Sequence, residues 1–496
     1  MAEAETLLDD LRRRTRSFTS RLREDDVFGL GRDIARELVR AHAESPQRHP
    51  SLDPATIPLA DGKPSLGGSR PGGDSAEDLF LLGALLNSLA ANVTPDVAWR
   101  LDGPPLFPAT TLARRHVLAA LGSPSPSTRF ATAQAALEAL EAALAPAAAA
   151  DAAWGLHRGD PGRGGFRERS AGATRFDAVW ESAVGAVVAS PILAGPLALA
   201  ATADGRLLFL DRASGRRIHE MRLASGVESS PAVSGRWILI GTDDGELAAV
   251  DLVDGALRYR VKLGEMIRSS PLPIGARVLV GVIEPKGAGA LVALDRETGK
   301  TVWRRKLGPV FSSPAFAPGR VVVGSDDGSL HAFDPETGAP AWSAPLGGKV
   351  RATPALTAEL AVVGDFSGRV TAVRLDDGSP VWSRELGESV YSSAAIAAGL
   401  CAMGCHDGTL RGLDLATGEV RFEVRTRGPL VASPVAVGDR LFVGSTDGDA
   451  YLLDAAGAVL QRTPAAEGGI QSSAAVDGEL VVFGSSRGLH AVALRP

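Results

Sequence analysis

The sequence predicts an all-β protein, an eight-bladed β-propeller of four-stranded antiparallel blades closed by an N-terminal strand, preceded by a small mainly α-helical domain. Three observations predict it. A unit of about 40 residues restarts eight times through residues 176–496, and a period of that length marks blades or solenoid turns. Asp-Gly pairs recur at one phase of the unit, supplying the positive φ that tight hairpin turns need. A large, usually aromatic residue recurs in the last run of the unit, where a closing strand is expected.

One unit, Phe311 to Leu346, shows the parts in order. It has a Ser-Ser-Pro start, an apolar run ending at Gly324, a turn at Asp327-Gly328 and an alternating run to Asp334. A Thr-Gly turn and a last strand carrying Trp342 follow. Period-two runs between such turn residues read as strands. The residues at the Pro position are Pro191, Pro231, Pro271, Pro314, Pro354, Ala394, Pro434 and Ala474, with gaps of 40, 40, 43, 40, 40, 40 and 40. The longer gap falls in the third unit, where 284–289 (EPKGAG) replaces the tight Asp-Gly turn. A second recurrent aspartate (Asp211, Asp251, Asp295, Asp334, Asp414, Asp454) is expected to cap the turn after the third strand. The last-strand residues are Trp180, His219, Tyr259, Trp303, Trp342, Trp382, Phe422 and Gln461. Trp180 comes before the first Pro position, and the eighth unit has no such strand of its own. Phe176 to Val184 is therefore expected to complete the eighth blade, closing the ring and removing open sheet edges.

Residues 1–145 read differently. Helical spacing is present at 3–24 and again from Phe28 to His42, where Leu30, Ile34, Leu38 and Val39 share a face. A strand-and-turn stretch leads to Asp61-Gly62. A Gly/Ser/Pro-rich loop at 67–73 then precedes an apolar helix from Asp78 to Leu86, with further helices at 112–121 and 130–144. Residues 146–175 form an Ala/Gly/Arg-rich linker. Its arginine–glycine part, 158–175, is too poor in apolar residues to order itself, and it is expected to be a flexible joint. The other reading is a basic segment that docks on an acidic partner.

Composition excludes several classes. A net charge of −6 gives no footprint for phosphate neutralisation, so no nucleic-acid partner is expected. Eight His and two Cys, Cys401 and Cys405, are too few for a metal-rich or disulfide-stapled protein. No apolar run is long enough to span a bilayer, and the acidic start (Met1 to Glu5) is unlike a secretory signal. The expectation is a cytoplasmic protein with no cofactor, no bound metal and no enzymatic activity.

Two resemblances follow from the residues. The repeated pattern (Ser-Ser-Pro, Val-x-Val-Gly-Ser-x-Asp-Gly, Leu-x-Ala-x-Asp-x-x-Thr-Gly, Trp) resembles the PQQ-like, or BamB-like, eight-bladed β-propellers. Quinoprotein dehydrogenases of that fold bind PQQ over the channel with a vicinal disulfide, calcium ligands and a catalytic aspartate. Here Cys401 and Cys405 are not adjacent and the blades carry no long inserts. The resemblance therefore implies the bare-bladed members, mostly scaffolds that bind proteins or peptides. The N-terminal region resembles a degenerate C-terminal lobe of a bacterial serine/threonine protein kinase. His49, Leu52 and Pro54 stand at its catalytic-loop positions, Asp78 opens the long helix, and Pro126 and Arg129 match its late Pro-x-x-Arg. Ser51 and Thr56 occupy the positions of the catalytic aspartate and the metal-binding asparagine. Gly67-Gly68-Ser69 stands where Asp-Phe-Gly is required, so phosphoryl transfer has neither base nor metal ligands. The same stretch also fits an unrelated small helical domain.

Positions repeated across blades hold the fold, and positions of the same phase that vary are free to carry function. The residue before each Ser-Ser, Ala-Ser or Ala-Thr pair varies: Val188, Glu228, Arg268, Phe311, Arg351, Tyr391, Val431 and Gln471. By symmetry these form one ring at a channel mouth. Glu228, Arg268, Phe311, Arg351, Tyr391 and Gln471 are the candidate partner-binding residues, since Arg and aromatic side chains are enriched at interface hot spots. The expected function is a scaffold that binds a protein or peptide partner. The alternatives are a sensor of a small ligand or peptide in the channel and, third, a PQQ-dependent dehydrogenase.

Overall fold

A computed structural model of the chain describes residues 31–36, 59–60, 63–64, 82, 136, 154–168, 172–253, 255–466 and 468–496. The chain divides into two compact units, one of 1–148 with 253–255, the other of 149–252 with 256–496.

In the first unit, residues 31–36 are helical, inside the expected helix from Phe28, and Ile34 of its apolar face is buried. Leu59–Ala60 pairs antiparallel with Lys63–Pro64. His49, Ser51, Leu52, Pro54, Thr56, Gly67, Gly68, Ser69, Asp78, Pro126 and Arg129, which carry the kinase-lobe resemblance, lie outside the described residues, as does most of the expected helical domain.

The second unit is the propeller, with eight blades each a four-stranded antiparallel sheet in meander order. Blade 1 is Ile192–Ala194, Leu197–Ala201, Arg206–Asp211 and Arg217–Arg222, and the later blades repeat it. Blade 8 takes its outermost strand, Arg175–Ser182, from the N-terminal side, with Trp180 opposite Ala491, as the repeat phase requires. Blade 3 has the longest second and third strands, Arg277–Glu284 and Ala288–Asp295, joined by a 3-10 turn at Pro285–Gly287. The second and third strands are apolar on both faces because neighbouring blades cover both faces of each sheet.

Blades are joined by three devices. The Ser-Ser pairs form a buried belt: the Ser190 amide donates to Ser230 Oγ (2.9 Å), Ser230 to Ser270 (3.1 Å), and Ser393 to Ser433 (2.9 Å). The preceding serine holds its own blade, Ser312 Oγ accepting from the Gly324 amide (3.2 Å) and donating to Ala352 O (3.0 Å) of the next blade. Outermost-strand aromatics clamp the following blade. Trp342 Nε1 donates to Leu375 O (2.9 Å), and its ring lies so close to Gly378 that a Cβ there would sit 2.6 Å from it. Trp180, Trp303 and Trp382 repeat this arrangement.

The recurrent aspartates are scaffold, as expected. Asp295, Asp334 and Asp414 each accept the amide and hydroxyl of the threonine three residues on, and Asp211 does the same with Ser214. Asp251 differs, being buried and paired with Arg236 and Arg258.

Residues 154–168 correct the expectation of a flexible joint. This stretch runs round the inside of the channel, following the blades in order. Trp154 and Leu193 exchange backbone bonds (3.2 and 3.0 Å) in blade 1, and the Val233 amide of blade 2 donates to Gly155 O (2.7 Å). Phe316, Leu356, Ile396 and Ala436 of blades 4 to 7 donate to the carbonyls of Pro161, Gly162, Gly164 and Gly165 (2.7 to 2.9 Å). Each donor stands two residues after the Pro position. Blade 3 is skipped for a plain reason: its residue there is Pro273, which has no N–H. Phe166–Arg167 then runs parallel to Val435–Val437. The composition argument failed because the apolar surface and the hydrogen-bond partners come from the channel wall, not from the segment.

Candidate interaction site at the channel mouth

The ring residues lie where the innermost strands begin. In each blade the residue before the ring position is a buried aliphatic (Val227, Ile267, Val310, Val350, Val390, Leu430, Ile470, all 0% exposed) and the residue after it is buried too. The ring residue between them is half-exposed or exposed, which leaves its side chain for the mouth.

The structure brings five of the six candidates into two contact groups. Arg268 pairs with Glu228 (2.9 Å) and with Asp243 (3.3 Å). Burial raises the Glu228 pKa, Arg268 opposes that shift, and Asp243 adds to it. Arg351 is held more tightly, its Nε and Nη2 donating to the two oxygens of Asp326 (2.9 and 2.7 Å). The Arg351 guanidinium lies 3.9 Å from the Phe311 ring centroid and 4.9 Å from that of Phe366. Phe366 packs against Tyr391 in a tilted arrangement (4.2 Å, 47°), and Tyr391 against His406 (5.6 Å, 40°). The hydrogen bonds to Asp326 raise the Arg351 pKa, so this cation is permanent. The sixth candidate, Gln471, is exposed, and nothing places it with these groups.

Asp243, Asp326, Phe366 and His406 are site residues the sequence reading missed. They share one repeat position, the variable residue before Asp-Gly or its equivalent, and each sends its amide to a carbonyl of the connection that leads into its own blade's innermost strand. That anchors a second ring beside the first. The signal was present as unexplained variation between conserved turn residues.

A bidentate Arg–carboxylate pair fixes the guanidinium plane, and two rings against its faces add cation–π attraction of about 0.5–2 kcal/mol. Among the described residues no cluster of three or more His, Cys, Asp or Glu could hold a metal ion. Cys401 and Cys405 are buried free thiols four positions apart, and do not form the adjacent pair of the quinoproteins. Burial pushes the Cys401 thiol up to about 12.

A family model described as outer membrane protein assembly factor BamB matches residues 203–284 and 286–496, more than half of the chain. The chain belongs to this family. Among solved structures it is similar to BamB from Moraxella catarrhalis, at 24% identity over 65% of this chain and 98% of that one, with a TM-score of 0.56. It is similar also to a europium-containing methanol dehydrogenase (14% identity, 69% and 98% covered, TM-score 0.60) and to the computationally designed Ika8 protein (16% identity, 64% and 99% covered, TM-score 0.58). At these identities the likeness is one of fold. No curated protein matches. Among the described residues of this BamB-family chain, no helix is long and apolar enough to cross a membrane.

Proposed function

We propose that this BamB-family chain is a non-enzymatic scaffold whose propeller binds a protein or peptide partner at the mouth where the innermost strands begin. The observation that carries the reading is the Phe311–Arg351–Phe366–Tyr391 cluster held by Asp326. Its side chains are pre-positioned, so little conformational entropy remains to be lost when a partner docks. Tyr391 is 40% exposed, a large aromatic offered to solvent beside a fixed cation. Binding through an exposed aromatic–arginine cluster needs no cofactor and no reacting group.

The test is affinity capture from the native cell with the full chain, followed by mass spectrometry, against a variant with Arg268, Phe311, Arg351 and Tyr391 all replaced by alanine. The variant is expected to lose partners that the parent chain retains. A folded variant that captures the same partners in the same amounts would sink the proposal. Once a partner is in hand, Arg351→Ala or Tyr391→Ala alone is expected to weaken it by about 2 kcal/mol, near thirty-fold in Kd.

A further inference from the structure

Three residues beyond the mouth ring, where the innermost strands start, the channel holds two buried cations. Arg158 and Arg163 are 1% and 0% exposed, and both sit at positive φ, +66° and +61°. Left-handed backbone at a non-glycine residue persists only where its surroundings over-determine it, and it concentrates at ligand clamps. The clamp is visible here. Arg158 donates Nη1 to Pro434 O and Nη2 to Ala394 O (2.5 Å each). Arg163 donates Nε to Pro314 O (3.1 Å) and Nη2 to Pro271 O (3.0 Å), and closes on its own segment through His157 O. Four main-chain carbonyls from the Pro positions of blades 3, 4, 6 and 7 thus converge on two guanidinium groups. Burial lowers their pKa values to about 10 and about 9, which still leaves both charged at neutral pH. Asp160, between them in sequence, opposes that lowering at both.

The remaining contacts are those of a bound peptide with two tight turns, closed by Gly159 N–H to Leu156 O (2.9 Å) and Arg163 N–H to Asp160 O (3.0 Å). The segment's carbonyls take one edge amide from most of the innermost strands, a pairing indifferent to side chains. The glycines are required by space: a Cβ on Gly159 would lie 2.8 Å from the Trp154 ring, and one on Gly165 would lie 2.1 Å from Arg158 Nη2. Backbone pairing gives affinity, and the two arginine clamps and the glycines give selectivity. A planar guanidinium fork can bridge two carbonyls of different blades, whereas an ammonium on the same stem presents a point charge.

We propose that residues 154–168 are a peptide ligand carried in cis, and that the channel at this level is a receptor for a turned arginine–glycine peptide with two arginines five residues apart. The segment is joined covalently to the propeller only through the residues that precede the outermost strand of blade 8. The receptor is built from main-chain carbonyls and amides, not from the side chains of the mouth ring, and the proposal stands independently of the partner proposed there.

The test cuts that link in the full chain. A protease-recognition sequence is placed within residues 169–171, the protein is cleaved, and the two fragments are followed by size-exclusion chromatography and native mass spectrometry. The fragment ending at Glu168 is expected to stay with the propeller, and a large excess of a synthetic peptide of residues 154–168 is expected to displace it. The same peptide with Arg158→Lys and Arg163→Lys should displace it at least ten-fold less well. Separation of the cut parent chain, with the propeller folded or not, overturns the proposal. So does equal displacement by the lysine peptide, or retention that the parent peptide does not reverse.

Discussion

A tryptophan and a glycine from neighbouring blades show how one residue fixes another. Gly338, Gly378 and Gly418 sit at φ of +67°, +75° and +72°, and each lies under a tryptophan ring of the preceding blade. Two demands, left-handed backbone and no Cβ, meet at one position. Gly378→Ala is therefore expected to cost about 2 kcal/mol or more, measured by denaturant unfolding; a change under about 0.5 kcal/mol would mean that the Trp342 ring moves aside freely. Buried histidines give a second prediction. Burial, with Arg163 and Arg158 close by, lowers His157 well below its ordinary 6.5, and burial lowers His490. A base with a depressed pKa in the folded state binds its proton more readily when unfolded. Stability is then level above about pH 6.5 and falls as pH drops below it, by up to about 1.4 kcal/mol per pH unit for each histidine. The check is Tm against pH from 8 to 5, with His490→Asn expected to flatten part of the acid limb. A limb that begins only near pH 4 would point to carboxylates instead.

At the scale of elements, strands and turns were legible because their signals are local. Alternation, Asp-Gly, Thr-Gly and the closing tryptophan sit inside one unit, and eight copies averaged away the noise of any single one. The ring position was legible for the opposite reason, as variation at a fixed phase. The serine belt was not, because its bonds join residues about one repeat apart, such as Ser433 and Ser473 (3.0 Å), and only closure brings them together. Ser433→Ala and Ser473→Ala are expected to behave differently. In the belt Ser433 Oγ accepts the Ser393 amide, while Ser473 Oγ accepts that of Ser433, so each change orphans a buried amide in a different blade. Each should cost about 1–3 kcal/mol, and hydrogen exchange should show the loosening at residue 393 in the first variant and at residue 433 in the second. Loosening spread evenly over all blades in both would contradict a belt of separate links.

At the scale of the whole molecule, the propeller is a ring whose channel carries two differently built layers. The ring before the innermost strands carries a cation–aromatic cluster, and the level three to five residues further along is occupied by the chain's own segment. Composition hid the second feature. A run reading Arg-Gly-Asp-Pro-Gly-Arg-Gly-Gly has too little apolar surface to fold alone, and in isolation that judgement is sound. The propeller wall reverses it by supplying edge amides and carbonyls that would otherwise face the channel unpaired. Each arginine clamp is a buried charge with dedicated acceptors, and Arg163→Ala is expected to destabilise the propeller by about 3 kcal/mol. The most direct measurement is hydrogen exchange by mass spectrometry on peptides covering residues 154–168 of the intact chain. A segment seated in the channel predicts exchange as slow as that of neighbouring blade strands, together with protected amides at Val233, Phe316, Leu356, Ile396 and Ala436. Exchange of the whole segment within seconds, at the rate of an unstructured peptide, would contradict it.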